Sequence, residues 1–339
     1  MSADPSFDAP VAISIGDPAG IGPELIAEAW QRRGQSRLAP FCVIGGAEAV
    51  RAASAQSGLD LPIATIADIQ EATEAFPGAL PVLAGTDAEY RPGRPDARGA
   101  ELALASLQTA TELAKSGKAS ALVTAPIAKG ELAKVGFDHP GQTEFLAAAC
   151  GRAAQDAVMM LAGPTLRTVP LTVHCPLADV PGMLSSEMIC HKARIVADAL
   201  KRQFGIAQPR LAVAGLNPHA GENGKFGDEE ARIIRPAIAK LQAEGLNVTG
   251  PHPADALFTP RARATYDAAL CMYHDQALVP LKALEFDEGV NVTLGLPIIR
   301  TSPDHGTAFD IAGKGIADPG AMIAAIRMAG EMVARRNNA

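Results

Sequence analysis

Three histidines in this sequence each follow a short apolar segment with the pattern of a buried β-strand. These segments end at Val173, Pro218 and Tyr273, so the histidines are His174, His219 and His274. Proteins of the α/β class place functional side chains at the carboxyl ends of such strands. Three imidazole nitrogens with one open position would form a catalytic zinc site, with Zn–N distances of roughly 2.0–2.1 Å. The bound ion would acidify a substrate hydroxyl group, although a hydrogen-bonded structural role is commoner for any single histidine.

Basic and amide side chains follow the last of these histidines. Lys282, Asn291 and Arg300 are of the types that bind a phosphate or carboxylate through charge-assisted hydrogen bonds. A lysine beside a divalent ion can also transfer a proton near neutral pH, which makes Lys282 the candidate acid or base. Taken singly, a lysine or arginine is usually a solvated surface residue. Asp255 and Asp275 could orient metal ligands or, equally, cap helices.

A glycine-rich segment at residues 16–24 reads GDPAGIGPE and lies between an apolar run and an amphipathic one. Glycine permits tight turns and a close approach of the backbone to a ligand, and the start of a helix favours an anion. The segment does not have the GxGxxG spacing. By itself it is therefore as consistent with a simple turn as with a cofactor-binding loop.

Short apolar runs alternate with longer amphipathic runs along the chain. The apolar runs predict buried strands at Val11–Ile15, Phe41–Ile44, Ala119–Val123, Val158–Leu161, Leu211–Ala214 and Ala269–Met272. Apolar residues at helical spacing predict helices at Pro23–Arg33, Arg98–Lys115, Ser185–Phe204, Asp228–Ala243 and Pro319–Arg335. The alternation predicts an α/β fold with at least partly parallel strand pairing.

Composition narrows the class of protein. The 339 residues are 48% hydrophobic with a formal net charge of −7, so the chain can bury a substantial core. Its basic residues are scattered, which favours neither a nucleic-acid groove nor a membrane surface. Met1–Pro10 lacks the features of a signal peptide, and no apolar run reaches the roughly 18–20 residues that span a bilayer. We therefore expect a soluble, cytoplasmic protein with a small-molecule partner, and its five cysteines, without CxxC spacing, indicate free thiols.

Several segments, taken in order, resemble one family over nearly the whole chain. The string GDPAGIGPE resembles the N-terminal signature of the 4-hydroxythreonine-4-phosphate dehydrogenases of vitamin B6 biosynthesis. Further matching strings are GQTEF at 141–145, GLNPHAGE at 215–222, YHDQ at 273–276 and GVNVTLGLP at 289–297. Residues 304–315, DHGTAFDIAGKG, also resemble the loop with which isopropylmalate dehydrogenases hold the cofactor adenosine.

The resemblance implies a role for each matching residue. The implied ligands of one divalent ion, which could be Zn, Mg, Mn or Co, are His174, His219 and His274. The implied substrate-binding residues are Gln142, Thr143, Lys282, Asn291 and Arg300, with Lys282 also the catalytic residue. The residues implied to bind NAD or NADP are Gly16, Asp17, Gly20, His305, Gly306, Thr307 and Asp310.

One substrate position departs from the family pattern. Family members commonly read GHTE where this chain has Gln142 before Thr143. A glutamine can donate a hydrogen bond to a phosphate oxygen, but it cannot carry a positive charge. The substitution therefore bears on phosphate affinity and on the identity of the substrate.

The resemblance also implies an isopropylmalate dehydrogenase-like fold of two α/β domains with the active-site cleft between them. Because both ends of the chain carry cofactor-type motifs, we predict a discontinuous cofactor-binding domain at residues 1–133 and 298–339. Residues 134–297 would then form a domain for metal, substrate and dimerisation. Family members are homodimers that share their active sites, so we expect a homodimer in which His274 could act in the neighbouring subunit.

The implied reaction is oxidation of 4-phosphohydroxy-L-threonine by NAD(P), followed by loss of carbon dioxide from the 3-keto acid. One alternative is a paralogous dehydrogenase of another (phospho)hydroxy acid or of a dihydrodiol carboxylate, which the glutamine at position 142 keeps open. Another is a catalytically silent protein that binds a phosphorylated metabolite.

Overall fold

The structure is a computed structural model that describes residues 9–337. Its contacts divide the chain into two compact units. Of the described residues, unit 1 contains 9–154 and 296–337, and unit 2 is Gln155–Gly295. The motifs predicted that the first segment of the cofactor-binding domain ends at residue 133. In the structure, residues 134–154 also pack with unit 1. Most of the segment Met1–Pro10, in which we expect no signal peptide, lies outside the described residues.

Strands and helices alternate through both units. The strands are β1 (Val11–Ser14), β2 (Phe41–Ile44), β3 (Ile63–Ile66), β4 (Leu80–Leu83), β5 (Ala121–Thr124), β6 (Val158–Ala162), β7 (Arg167–Pro170), β8 (Arg210–Ala214), β9 (Asn247–His252), β10 (Ala268–Cys271), β11 (Val290–Leu294) and β12 (Arg300–Pro303). The α-helices are α1 (Gly22–Gln31), α2 (Ala47–Gln56), α3 (Ala72–Ala75), α4 (Ala97–Lys115), α5 (Lys129–Lys134), α6 (Gln142–Ala149), α7 (Val180–Met183), α8 (Ser186–Arg202), α9 (Arg235–Ala243), α10 (Ala254–Leu257), α11 (Pro260–Arg263), α12 (His274–Glu285) and α13 (Gly320–Asn337). Each strand and helix predicted from the sequence overlaps one of these elements, so the α/β prediction is confirmed.

Unit 1 is built on a parallel sheet with the strand order β3-β4-β2-β1-β5-β12. Its central strand β1 is buried throughout and pairs with β2 on one side and β5 on the other. Burial on both faces explains why these strands have continuous apolar sequences rather than alternating ones. Because β1, β5 and β12 are parallel neighbours, the loops that follow them leave the same edge of the sheet.

Unit 2 is built on a mixed sheet with the order β11-β6-β7-β10-β8-β9. The pairs β11/β6 and β6/β7 are antiparallel, whereas β7, β10, β8 and β9 run parallel. Helix α12 packs its buried residues Ala277, Leu278 and Leu281 into the core beside β7 and β10. The parallel neighbours β7, β10 and β8 therefore end at one edge, and each is followed by one of the predicted metal-binding histidines.

A helix that spans a bilayer must be both long and apolar. Within residues 9–337, none combines the necessary length with a sufficiently apolar sequence.

Candidate active site

The three histidines predicted to bind metal occupy different local structures. His274 is the first residue of α12, directly after β10, whereas His174 and His219 lie in the loops after β7 and β8. Both loop histidines have positive φ angles, 49° at His174 and 53° at His219. A residue with a Cβ atom is strained in that region, and such strain is concentrated at functional sites. The strained backbone at both positions is consistent with a functional requirement for the direction of each imidazole.

Two of the imidazoles lie side by side within unit 2. The ring centres of His174 and His274 are 5.7 Å apart, with an angle of 43° between the planes. Two imidazoles that bind one ion at roughly 2.0–2.1 Å place their ring centres about 5 Å apart. His274 Nδ1 also donates a hydrogen bond to Asp275 Oδ1 at 2.7 Å, which leaves Nε2 available. A carboxylate on the second ring nitrogen is the usual arrangement of a metal-binding histidine, so Asp275 fits the orienting role.

Asp255, the other aspartate considered for that role, contacts the start of a helix and not a histidine. Its Oδ1 accepts a hydrogen bond from Ala256 N at 3.0 Å in the first turn of α10. This local contact involves no histidine. Asp255 therefore acts in this structure as a residue of the helix start.

His219 stands apart from this pair in the single chain. Its ring packs near Phe226, at 6.1 Å between centres, and its side chain is exposed. Across the described part of one chain, no three His, Cys, Asp or Glu side chains are grouped so that they could hold a metal ion. The donors are imidazoles, and one of them is hydrogen-bonded to a carboxylate; this chemistry fits a divalent ion of the Zn or Co type.

The structure brings together two of the predicted substrate-binding residues, Gln142 and Arg300. Arg300 begins β12 and is only 4% exposed; its Nη2 donates to Thr124 Oγ1 at 2.7 Å and to Gln142 Oε1 at 3.4 Å. Gln142 Nε2 in turn donates to Ala125 O at 3.1 Å. Burial lowers the pKa of Arg300 to about 10, partly opposed by the negative charge of Glu144. The guanidinium therefore stays charged at neutral pH, and it lies beside the start of α6, a suitable place for an anion.

Lys282 and Asn291, the other predicted substrate-binding residues, belong to unit 2. Lys282 is half-buried on α12, the helix that begins with His274. Asn291 lies in β11, and its buried Oδ1 accepts no hydrogen bond from the described residues. Thr143, in unit 1, is the second residue of α6 and follows Gln142 directly.

The two motifs predicted to bind the dinucleotide touch each other in unit 1. Ile21 N donates to Thr307 O at 3.0 Å, and a Cβ atom at Gly20 would lie 2.7 Å from that same oxygen. Only glycine permits this approach. At Gly16, which has a φ of 73°, a Cβ atom would lie 2.4 Å from Pro126 O. The shape of the GDPAGIGPE loop thus depends on backbone contacts that a side chain would block.

Three more residues predicted to bind the dinucleotide lie in the same loop as Thr307: His305, Gly306 and Asp310. His305 Nδ1 lies 3.0 Å from Gly306 O, while its buried Nε2 contacts no hydrogen-bonding group among the described residues. Gly306 and Asp310 are exposed. A buried ring nitrogen without a protein partner fits a residue that hydrogen-bonds to a bound ligand.

The chain matches a known protein family over most of its length. A family model described as pyridoxal phosphate biosynthetic protein PdxA matches residues 37–329. This chain belongs to that family. A 4-hydroxythreonine-4-phosphate dehydrogenase from Erythrobacter litoralis is 66% identical over 97% of this chain and 98% of its own length. The resemblance seen in the sequence motifs is confirmed.

Solved structures of similar proteins match this chain over most of its length. A structure described as a putative 4-hydroxythreonine-4-phosphate dehydrogenase from Salmonella typhimurium is 40% identical, with a TM-score of 0.86 over 96% of this chain and 100% of that one. A terephthalate 1,2-cis-dihydrodiol dehydrogenase from Burkholderia xenovorans is 31% identical, with a TM-score of 0.65 over 95% of this chain and 97% of that one. Membership of a dehydrogenase family implies a nicotinamide cofactor.

Sequence reasoning missed one buried residue of the GDPAGIGPE motif in this PdxA-family chain. Glu24 is 2% exposed, and its Oε2 accepts hydrogen bonds from Gly313 N at 3.2 Å and Ser57 Oγ at 3.4 Å. Burial raises the pKa of Glu24, partly opposed by the bond from Gly313. Glu24 thus ties the start of α1 to the glycine-rich loop at 304–315. An acid at the first turn of a helix is common, so its position alone was no signal.

Asp17 provides a test of the electrostatics of this loop. Its Oδ1 accepts from Ala19 N at 3.0 Å, whereas its buried Oδ2 has no partner among the described residues, and burial raises the pKa of Asp17. We expect Asp17→Asn, which keeps the first bond, to stabilise the fold at pH 7 by about 1–3 kcal/mol. The corresponding rise in Tm is about 2 °C per kcal/mol and is measured by calorimetry.

The pH dependence of this effect follows from the direction of the shift. A raised pKa means that the folded state binds the proton more tightly, so the stability of the wild type declines as pH rises through the folded pKa of Asp17. The advantage of the asparagine variant should therefore vanish below about pH 3.8, the ordinary pKa of an aspartate. Asp60→Asn, at an exposed position of the same unit, is the control and should change nothing. A fall in Tm for Asp17→Asn at pH 7 would contradict this explanation.

Proposed function

We propose that this chain oxidises 4-phosphohydroxy-L-threonine with NAD or NADP to 2-amino-3-oxo-4-(phosphooxy)butanoate. This keto acid then loses carbon dioxide to form 3-amino-2-oxopropyl phosphate, on the route to pyridoxine 5′-phosphate. The observation that carries the proposal is the 66% identity, over 97% of the chain, to a relative named 4-hydroxythreonine-4-phosphate dehydrogenase. The imidazole pair and the buried arginine support it, because the reaction needs an acidified hydroxyl group and a bound phosphate.

We assign one divalent ion to His174, His219 and His274. When bound, such an ion acts as a Lewis acid that acidifies the substrate hydroxyl and stabilises negative charge on that oxygen. Imidazole ligands favour Zn or Co over Mg, whereas the substrate carboxylate also suits harder ions. The bond from His274 Nδ1 to Asp275 holds that ring in the tautomer that presents Nε2.

The remaining residues bind, orient and move protons. The Arg300 guanidinium, held by Thr124 and next to Gln142, is assigned to a substrate anion, with Thr143 as a further donor. Asn291 is assigned to orient the substrate through its amide. Lys282 Nζ is assigned to take the proton of the hydroxyl group as hydride leaves its carbon for the nicotinamide, and to return a proton to the carbon that loses carbon dioxide.

The nicotinamide cofactor is assigned to unit 1. Glycines at positions 16 and 20 let the backbone pack closely against Pro126 and Thr307, which brings the 304–315 loop against the GDPAGIGPE segment. Asp17, His305, Gly306 and Asp310 complete the assigned set.

A homodimer is part of this proposal because the single chain leaves the metal site incomplete. Large apolar side chains are exposed on the segments that carry the histidines or beside them in sequence, and such exposed apolar surface commonly marks an interface. In unit 2 they are Leu177 at 66%, Phe226 at 43%, Val279 at 62% and Phe286 at 71% exposed. A second copy that covers them would also allow a ligand such as His274 to come from the neighbouring subunit.

The test is an absorbance assay of NAD(P)H formation with purified protein and 4-phosphohydroxy-L-threonine. It is run with NAD or NADP, with and without a chelator, and with added zinc, magnesium or cobalt. We expect reduction that depends on the metal and is accompanied by release of carbon dioxide. Absence of turnover, in protein shown to bind both metal and dinucleotide, would rule out this substrate.

The dihydrodiol dehydrogenase that shares the fold provides the second candidate, a paralogue for another hydroxy acid. Gln142, which has no charge, favours it, while the lower identity of 31% and TM-score of 0.65 speak against it. The variant Gln142→His distinguishes the two. If the phosphorylated substrate is correct, wild type already turns it over; if only the histidine variant does, the paralogue is the better description of this chain.

A further inference from the structure

The segment that carries His219 has an unusual backbone. Five consecutive residues, His219 to Asn223, have φ angles between 40° and 79°, and only Gly221 among them lacks a Cβ atom. A left-handed conformation costs roughly 1–2 kcal/mol for each residue with a side chain. Surrounding contacts must therefore hold the segment, because a run of this kind does not persist by itself.

One end of this segment is held by a buried carboxylate. Glu230, 3% exposed, accepts hydrogen bonds from Asn217 N at 2.8 Å and from Asn217 Nδ2 at 3.0 Å. Glu229 Oε2 accepts from the same amide nitrogen at 2.8 Å. These bonds fix the residue that lies two positions before His219.

The other support is Gln276, which lies two residues after His274. Its side chain is 7% exposed, and both ends of its amide are used: Oε1 accepts from Met272 N at 2.7 Å, and Nε2 donates to Gly215 O at 2.8 Å. Met272 directly follows β10 and Gly215 directly follows β8, so this one amide joins the strand ends that lead to His274 and His219.

A third bond extends the connection to the strand that leads to His174. The buried Thr172 Oγ1 donates to Met272 O at 2.9 Å. The peptide groups around Met272 are therefore bonded to Gln276 on one side and to Thr172 on the other. A continuous set of hydrogen bonds runs between the segments of all three histidines.

We propose that Gln276 is a positioning residue for metal binding, because its buried amide fixes the backbone of the segment that carries His219 and of the segment that carries His274. Each segment must be held in place whether its imidazole binds an ion within its own subunit or one shared with the neighbouring subunit. This inference rests on the proposed function, in which these histidines bind a divalent ion. Gln276 itself does not touch the ion. It acts through the backbone. Residues that orient metal ligands typically contribute roughly 10- to 100-fold to metal affinity.

The test is Gln276→Met, which keeps the volume of the side chain but removes both hydrogen bonds. Zn²⁺ and Co²⁺ affinities of the purified full chain are measured by competition with a chromophoric chelator, and the visible absorption of bound Co²⁺ reports the ligand geometry. We expect affinity to fall by about 10- to 100-fold with an altered Co²⁺ spectrum. The dissociation constant for the dinucleotide, a property assigned to unit 1, should stay within about twofold of wild type.

Two further substitutions separate positioning from a general loss of stability. Thr172→Val removes the bond to Met272 and should weaken metal binding, whereas Thr172→Ser keeps the hydroxyl group and should bind metal as wild type does. Gln242→Met is the matched control, because Gln242 Nε2 also donates to a backbone oxygen, that of Val248 at 2.7 Å, in a part of unit 2 that carries no predicted ligand.

The outcomes are distinct. If Gln276→Met lowers only the Tm of the metal-free protein, and metal affinity and the Co²⁺ spectrum match those of Gln242→Met, the positioning role is wrong while the proposed function stands. If wild-type protein binds no metal, or if His219→Ala binds it unchanged, the metal assignment is wrong and this inference is overturned with it. A selective loss of metal affinity in Gln276→Met and Thr172→Val supports it.

Discussion

Replacing His219 by alanine is expected to abolish tight metal binding and to lower kcat/KM for 4-phosphohydroxy-L-threonine by about 10³-fold or more. Lewis-acid stabilisation of a developing oxyanion contributes several kcal/mol, and each 1.36 kcal/mol corresponds to about a tenfold change in rate. The backbone at His219, with a φ of 53°, is strained, as is common at functional sites. Bound metal is measured by elemental analysis after dialysis, and the rate by NAD(P)H absorbance.

The matched control for this variant is His252→Ala. His252 belongs to the same unit and contacts Thr249 Oγ1 at 2.9 Å, but it lies in none of the metal-binding motifs. Its replacement should leave both metal content and turnover within about threefold of wild type. If His219→Ala retained a full complement of metal and near-normal turnover, a site built from the three histidines would have to be abandoned.

The second large effect is expected at Arg300. Replacing this arginine by methionine should lower kcat/KM by about 10²- to 10³-fold, because loss of one partner of a buried, hydrogen-bonded charge pair costs roughly 2–5 kcal/mol. Arg300→Lys keeps the charge but loses the planar fork that contacts Thr124 and Gln142, so an intermediate loss is expected. Steady-state kinetics with varied substrate concentration measures the effect, which should fall largely on KM.

Two measurements make the interpretation of this variant specific. Arg98→Lys alters an exposed arginine of the same unit, paired with Glu101 at 3.0 Å, and should leave the kinetics unchanged. The dissociation constant of the dinucleotide should also be unaffected in Arg300→Met. Equal losses of substrate and dinucleotide affinity would indicate general disruption of unit 1 rather than removal of an anion-binding group.

The sequence was most informative where an element is stabilised by its own pattern. Strands such as β2, Phe41–Ile44, are buried on both faces and are therefore apolar throughout, and long helices such as α4 show regular apolar spacing. Strand β12 was missed because it reads RTSP, four buried residues without one large apolar side chain. Its place in the sheet comes from pairing with β5, a strand that is remote in sequence: Arg300 pairs with Leu122, and Thr301 pairs with Val123. Pattern recognition within a short window contains no such information.

In the candidate site, too, some features could be predicted from the sequence and others depend on the folded structure. Residue type and motif were sufficient to single out the three histidines, the basic substrate residues and the family to which the chain belongs. Only the folded chain determined that β7, β10 and β8 are neighbours, that His174 and His274 stand 5.7 Å apart, and that His219 lies in a left-handed run. Gln276 and Gly215 are joined by one hydrogen bond although 61 residues separate them in sequence. Chemistry is carried by the type of each residue, which is local, whereas the distances between ligands depend on strand order and on buried bonds between remote segments, which arise only when the whole core packs.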